Sequence, residues 1–100
     1  MEEVRFIITD YIVVEIGNAL AKHKELAIKT LNHLQTSEDI QRTKITDEIF
    51  DQALELYKKY SDKDWGLTDI SSFVVMQREN ISEAFTADYH FKQFGFRILL

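Results

Sequence analysis

Two carboxylates in the last third of the chain, Asp69 and Asp88, stand where secondary-structure elements begin and end. In parallel α/β folds that rim of the sheet is where metals and other ligands bind. The stretch Trp65-Gly66-Leu67 closes a polar loop, Thr68 carries the hydroxyl of an N-cap, and Asp69 then opens an apolar helix with Ile70, Phe73, Val74 and Met76. After Asn80, the run from Glu83 to Thr86 has the pattern of a short buried strand, and Asp88 leaves it at its C-terminal edge. Two acids on one rim have the chemistry of a divalent-cation site, since hard cations take carboxylate oxygens. Each acid also has a plain alternative: Asp69 as a helix-start acid that complements the dipole, Asp88 as a turn cap.

The elements that must position these acids follow from periodicity. Val4 to Thr9 is strand-like, and Asp10 is placed to cap a helix over Tyr11 to Lys22, in which Ile12, Val13, Ile16, Ala19 and Leu20 recur at helical spacing. Glu15 interrupts that pattern between apolar Val14 and Ile16, which sets its carboxylate near the edge of a buried face or on the surface. A second helix is expected from about Glu25 to Leu34 with Leu26, Ala27, Thr30, Leu31 and Leu34 inward, then a turn over Thr36 to Asp39 and a polar edge strand from Ile40 to Ile45. Thr46 and Asp47 start a third helix with Ile49, Phe50, Ala53, Leu54, Leu56 and Tyr57 as its apolar stripe, and Lys58 and Lys59 favour its C-terminal dipole. The fourth helix runs from Asp69 to about Glu79 with one apolar side. A short helix or turn follows over Asp88 to Phe94, Gly95 permits a bend, and Phe96 to Leu100 is a last strand. Alternating parallel strands and helices define the α/β class.

Composition narrows the setting. One hundred residues with 45% hydrophobic content make one domain, residues 1–100, with a modest core. There is no proline, there are three glycines, and no polar tract marks a linker or repeat. The absence of cysteine excludes disulfides and thiolate metal sites. No apolar stretch approaches the roughly 20 residues of a membrane span, and Met1-Glu2-Glu3 is acidic where a signal peptide is basic. A soluble, cytoplasmic protein is expected. The net charge of −5 runs against broad polyanion binding. Backbone-phosphate contacts would fall to Lys22-His23-Lys24, Lys58-Lys59, Arg78, Lys92 and Arg97, for which solvated surface is the simpler account.

The C-terminal motifs Leu67-Thr68-Asp69, Ser71-Ser72-Phe73, Ala84-Phe85-Thr86-Ala87-Asp88, His90-Phe91 and Gly95-Phe96 resemble the closing pattern of PIN domains, in particular the VapC-type toxin subgroup. Thr9-Asp10-Tyr11, Val14-Glu15 and Asn18-Ala19-Leu20 are similar to that family's helix carrying a further acid, which would be Glu15. The resemblance covers nearly the whole chain. It implies a three-layer α/β fold with a parallel sheet, a Mg2+ or Mn2+ site formed by Glu15, Asp69 and Asp88, single-stranded or structured RNA as substrate, and a cognate antitoxin as partner. Thr68 and Thr86 flank two of the acids and could hydrogen-bond them, although capping explains Thr68 equally well. His90 follows the last acid and reads as a packing or RNA-contacting residue outside the metal set. Trp65, Phe73, Phe85, Phe91 and Phe96 are core candidates.

The family pattern also opens with a strand ending in Asp and a helix, for which this sequence has no counterpart. In the family's strand order, 3-2-1-4-5, that strand is central, so an N-terminally truncated sheet is expected. Strand-edge groups left unpaired cost about 1–3 kcal/mol each when buried, which favours closure of the two strand pairs or filling by a second chain in a homodimer; sequence upstream is the third possibility. Asp10, Glu3 and Glu79 are poor stand-ins for the missing acid. Two functions remain open: a metal-dependent endoribonuclease, and a catalytically silent PIN-like protein acting as a dimer or binding module.

Overall fold

The computed structural model describes residues 5–100. The element order is β1 (Phe6–Thr9), α1 (Asp10–Ala19), α2 (Lys24–Thr36), β2 (Ile40–Thr43), α3 (Asp47–Lys59), α4 (Leu67–Arg78), β3 (Glu83–Ala84), α5 (Tyr89–Phe94) and β4 (Arg97–Ile98). The α/β expectation holds. Val4, where the first strand was expected to start, and Glu3 lie outside the described residues. Two compact units divide at Ile45 and Thr46.

In the first unit β1 and β2 pair in parallel, Phe6 with Ile40 through Thr9 with Thr43. Strand β2 ends two residues earlier than its sequence pattern indicates, because Ile45 gives its N–H to Asp10 Oδ2 at 3.1 Å instead of to a strand partner. Asp10 therefore does not cap α1. Thr9 does, accepting from the Ile12 N–H at 3.3 Å, while the Asp10 carboxylate reaches across to Arg42 at 3.3 Å. Helix α1 stops at Ala19 instead of Lys22 and has no fully buried residue. Helix α2 is longer than its apolar pattern, and Leu26, expected to face inward, is exposed while Ala27 is buried.

The second unit is built around α4. Thr46 caps α3 through the Ile49 N–H, as its position before Asp47 suggests. Helix α4 begins at Leu67 with Gly66 as its cap residue, so Thr68 lies inside the first turn and not at the N-cap. Every residue from Ile70 to Met76 is buried. The expectation of one apolar side thus falls short, since the whole circumference is packed, including Ser71, whose Oγ donates to the Thr68 carbonyl at 2.6 Å. That local bond satisfies a hydroxyl which would otherwise cost about 1–3 kcal/mol to bury. Phe73 is 0% exposed. Its ring stacks on Phe94 with centroids 4.6 Å apart and meets Phe91 edge-on at 4.9 Å and Trp65 at 5.6 Å. These contacts tie α4 to α5 and to the loop before α4. Trp65 is held in turn by its Nε1–H, which donates to Gln93 Oε1 at 3.0 Å.

Strands β3 and β4 are only two residues each, pairing Glu83 with Arg97 and Ala84 with Ile98 in parallel. The longer runs Glu83–Thr86 and Phe96–Leu100 are corrected accordingly. Phe85 is not core: it is 65% exposed, because the strand has ended and the chain turns toward Asp88. Among the described residues the ladders are β1 with β2 and β3 with β4.

Candidate metal centre

Asp69 and Asp88 reach the site by different local devices. Asp69 lies in the first turn of α4, where a carboxylate interacts favourably with the dipole, and the aromatic packing of Phe73 one turn later fixes the helix that carries it. Asp88 is the N-cap of α5, its Oδ1 accepting the His90 N–H at 2.9 Å. Thr86 sets up that cap, since its Oγ1 accepts the Asp88 N–H at 3.0 Å. The chain then closes behind α5 through Gly95, whose φ of 118° is a conformation that L side chains rarely adopt.

These devices bring three side chains together. Asp69, Asp88 and His90 each place one potential ligand atom within 4.8 Å of the others. His90 Nδ1 is 3.3 Å from Asp88 Oδ1 and 3.5 Å from Asp69 Oδ2. The side chains are 23% (Asp69), 38% (Asp88) and 34% (His90) exposed, which leaves the cluster open on one side. The Nδ1 atom itself is buried and makes no hydrogen bond. Two close carboxylates beside an imidazole nitrogen that makes no hydrogen bond fit a divalent cation, whose charge offsets theirs and which accepts lone pairs from their oxygens.

The sequence placed two of these three residues. His90 was assigned to packing or RNA contact, and the signal that would have drawn it in is its position two residues beyond an N-cap acid, where a short helix turns it back over that acid. Glu15 belongs to the other unit, on the exposed surface of α1. Thr68 contributes its carbonyl to Ser71. Of the basic residues considered for phosphate contact, Arg78 pairs with Glu48 at 2.6 Å and Gln52 at 3.0 Å, and Arg97 with Glu83 at 3.7 Å. Lys92 sits on α5 itself, over the ring of Tyr89 at 5.7 Å.

Comparisons with known proteins bear on the fold and the family. No curated protein matches the chain in sequence. The VapC20 toxin of Mycobacterium tuberculosis, described as cleaving the sarcin–ricin loop, has the same fold: TM-score 0.84 at 21% identity, over 96% of this chain and 74% of that one. Divalent-metal dependence is general among PIN domains. The PIN domain pattern matches residues 1–97, so the chain belongs to the PIN domain family.

Proposed function

We propose that this chain is a metal-dependent endoribonuclease of the toxin–antitoxin type. The observation that carries the reading is the convergence of Asp69 and Asp88 at one rim in a PIN domain. In this reading Asp69 and Asp88 bind Mg2+ or Mn2+, with Glu15 as a further acid from α1, and all three are the residues on which cleavage depends. A divalent cation bound there would supply positive charge at the scissile phosphate and lower the pKa of a bound water, favouring the hydroxide as nucleophile. The protein's own residues do the rest by placement. The dipole of α4 and the cap of α5 hold two carboxylates in fixed orientation, and Thr86 holds the backbone that presents Asp88. Thr68 helps define the first turn beneath Asp69. Lys92 is the cation on the same short helix as the site and can meet a phosphate of the bound strand, offsetting in part the net charge of −5.

The likeness to VapC20, a toxin that cleaves the sarcin–ricin loop, supports structured RNA as the first substrate class to try. A small antitoxin and a homodimer as partners, and a cytoplasmic location, belong to the same proposal. The test is cleavage of a sarcin–ricin-loop oligonucleotide and of total RNA by purified protein with Mn2+ or Mg2+, with chelator and with Asp69→Ala and Asp88→Ala. Metal-dependent cleavage lost in both variants supports the reading. Cleavage that survives both variants sinks it. Protein that binds RNA or an antitoxin yet never cuts under any metal would instead identify a silent PIN-like binding module.

A further inference from the structure

We infer that His90, through Nδ1, is a third protein ligand of the cation held by Asp69 and Asp88. This rests on the reading of the cluster as a metal centre and goes beyond it by adding a nitrogen donor to a carboxylate site.

The hydrogen-bonding capacity of an imidazole sets the constraint. A neutral ring has one nitrogen that donates and one that accepts, and ionised carboxylates only accept. Nδ1 faces Asp88 Oδ1 and Asp69 Oδ2 at 3.3 and 3.5 Å, is removed from solvent, and hydrogen-bonds to neither. An Nδ1–H would need a carboxylate oxygen in line to accept it, and neither acid meets that geometry, whereas a lone pair on Nδ1 facing the two acids is repulsive and is relieved by a cation between them. The distances suit one. Two donors each about 2.1 Å from an ion and about 90–110° apart lie about 3.0–3.4 Å from each other, close to the separations seen. The ring is also prepositioned: its backbone N–H is bound by Asp88 Oδ1 at 2.9 Å, and the neighbouring Phe91 is buried against Phe73, so α5 cannot swing His90 away without breaking the core.

A nitrogen donor changes which cation the site prefers. Imidazole suits Zn2+, Ni2+ and Co2+, whereas all-oxygen sites suit Mg2+ and Mn2+. Relative to an all-carboxylate centre, the site gains most for the borderline ions and least for Mg2+.

The experiment uses the full chain with Mn2+ as probe, labelled with 15N at histidine, and reads nitrogen coupling to the ion by pulsed EPR; His90→Ala assigns the signal, since His23 and His33 remain. Calorimetric titration with Co2+ and Mg2+ accompanies it for wild type, His90→Gln and His90→Asn, after each variant is shown to melt cooperatively. Histidine coupling that disappears in His90→Ala, with Co2+ affinity falling about tenfold or more in His90→Gln and less in His90→Asn, whose amide oxygen can occupy the place of Nδ1, is the expected result. Mn2+ binding that depends on Asp69 and Asp88 but shows no histidine coupling overturns the inference while leaving the metal centre intact. Tighter binding in His90→Ala also overturns it, by showing that the ring obstructs the metal. Failure of wild type to bind any of these ions overturns both readings together.

Discussion

Asp88 holds two jobs in one side chain, and two substitutions separate them. As N-cap of α5 it accepts the His90 N–H; as half of the acid pair it faces Asp69 within 4.8 Å. Asn is an equally good cap without the charge, and Ala is neither cap nor ligand. Loss of the cap costs about 0.5–2 kcal/mol, so metal-free Asp88→Ala should melt below Asp88→Asn by several degrees, at about 4–8 °C per kcal/mol for a chain this size. The charge works in the opposite direction. Two carboxylates at that separation repel by about 1–3 kcal/mol between the bulk-water and near-surface limits, and partial exposure places this pair toward the lower end. Metal-free Asp88→Asn is therefore expected to be at least as stable as wild type. Adding Mn2+ reverses the order. At one hundred times its dissociation constant a ligand contributes about 2.7 kcal/mol, a rise on the order of 10 °C for wild type, and neither variant should follow. Thermal denaturation by circular dichroism, with and without Mn2+, reads all six conditions. Were Asp88→Asn to gain as much from Mn2+ as wild type, Asp88 would be a cap only and the metal-centre argument would fail.

Other outcomes follow from the same structure. Phe73→Leu should lower stability by about 1–2 kcal/mol, and it should weaken Mn2+ binding as well, because Phe73 couples α4 to α5; unchanged affinity by calorimetry would show that the aromatic cluster does not align the site. Gly95→Ala, forced to a φ of 118°, should cost about 1 kcal/mol or more in urea unfolding, and an unchanged midpoint would mean the turn relaxes freely. Thr9→Ala removes the α1 cap at a buried position and should cost about 0.5–2 kcal/mol, whereas Asp10→Asn should cost less; the reverse ranking would restore Asp10 as the cap. Glu15→Gln should reduce RNA cleavage at least about tenfold if α1 supplies an acid to catalysis, and an unaltered rate would confine the chemistry to the cluster of Asp69, Asp88 and His90.

Where sequence reasoning succeeded, the signal was local and redundant. Thr46 before Asp47 carried both a hydroxyl and first-turn acids, and α3 begins there. Asp88 read as a cap and as a ligand, and its hydrogen bond and its neighbours are compatible with both. Where reasoning failed, a longer-range partner won. Asp10 looks like a cap until Ile45 and Arg42, 35 and 32 positions away, claim its two oxygens and leave Thr9 to close the helix. Thr68 looks like a cap until α4 starts two residues earlier, at Leu67. The run of apolar residues in α4 indicates a buried helix, but period alone does not tell one buried face from a fully enclosed cylinder. Phe85 has the composition of a strand interior and loses that status because its ladder is two residues long, a length that sequence does not encode. His90 was missed because its partners come from a helix about twenty residues upstream and from its own cap, and a lone histidine in sequence is more often packing than ligand.

The enclosure of α4 bears on how the protein can change over generations. A helix packed on one side can turn about its axis by a few tens of degrees when a contact is substituted, and an acid on its first turn would swing with it. Seven consecutive buried positions forbid that slippage, because any rotation pushes closely packed side chains on every face, Ile70 and Phe73 among them, out of the spaces that fit them. The heading of Asp69 is thereby indexed by the interior, in the way a keyed shaft fixes a gear. Exposed residues around the open side of the site are then free to vary without re-aiming that carboxylate.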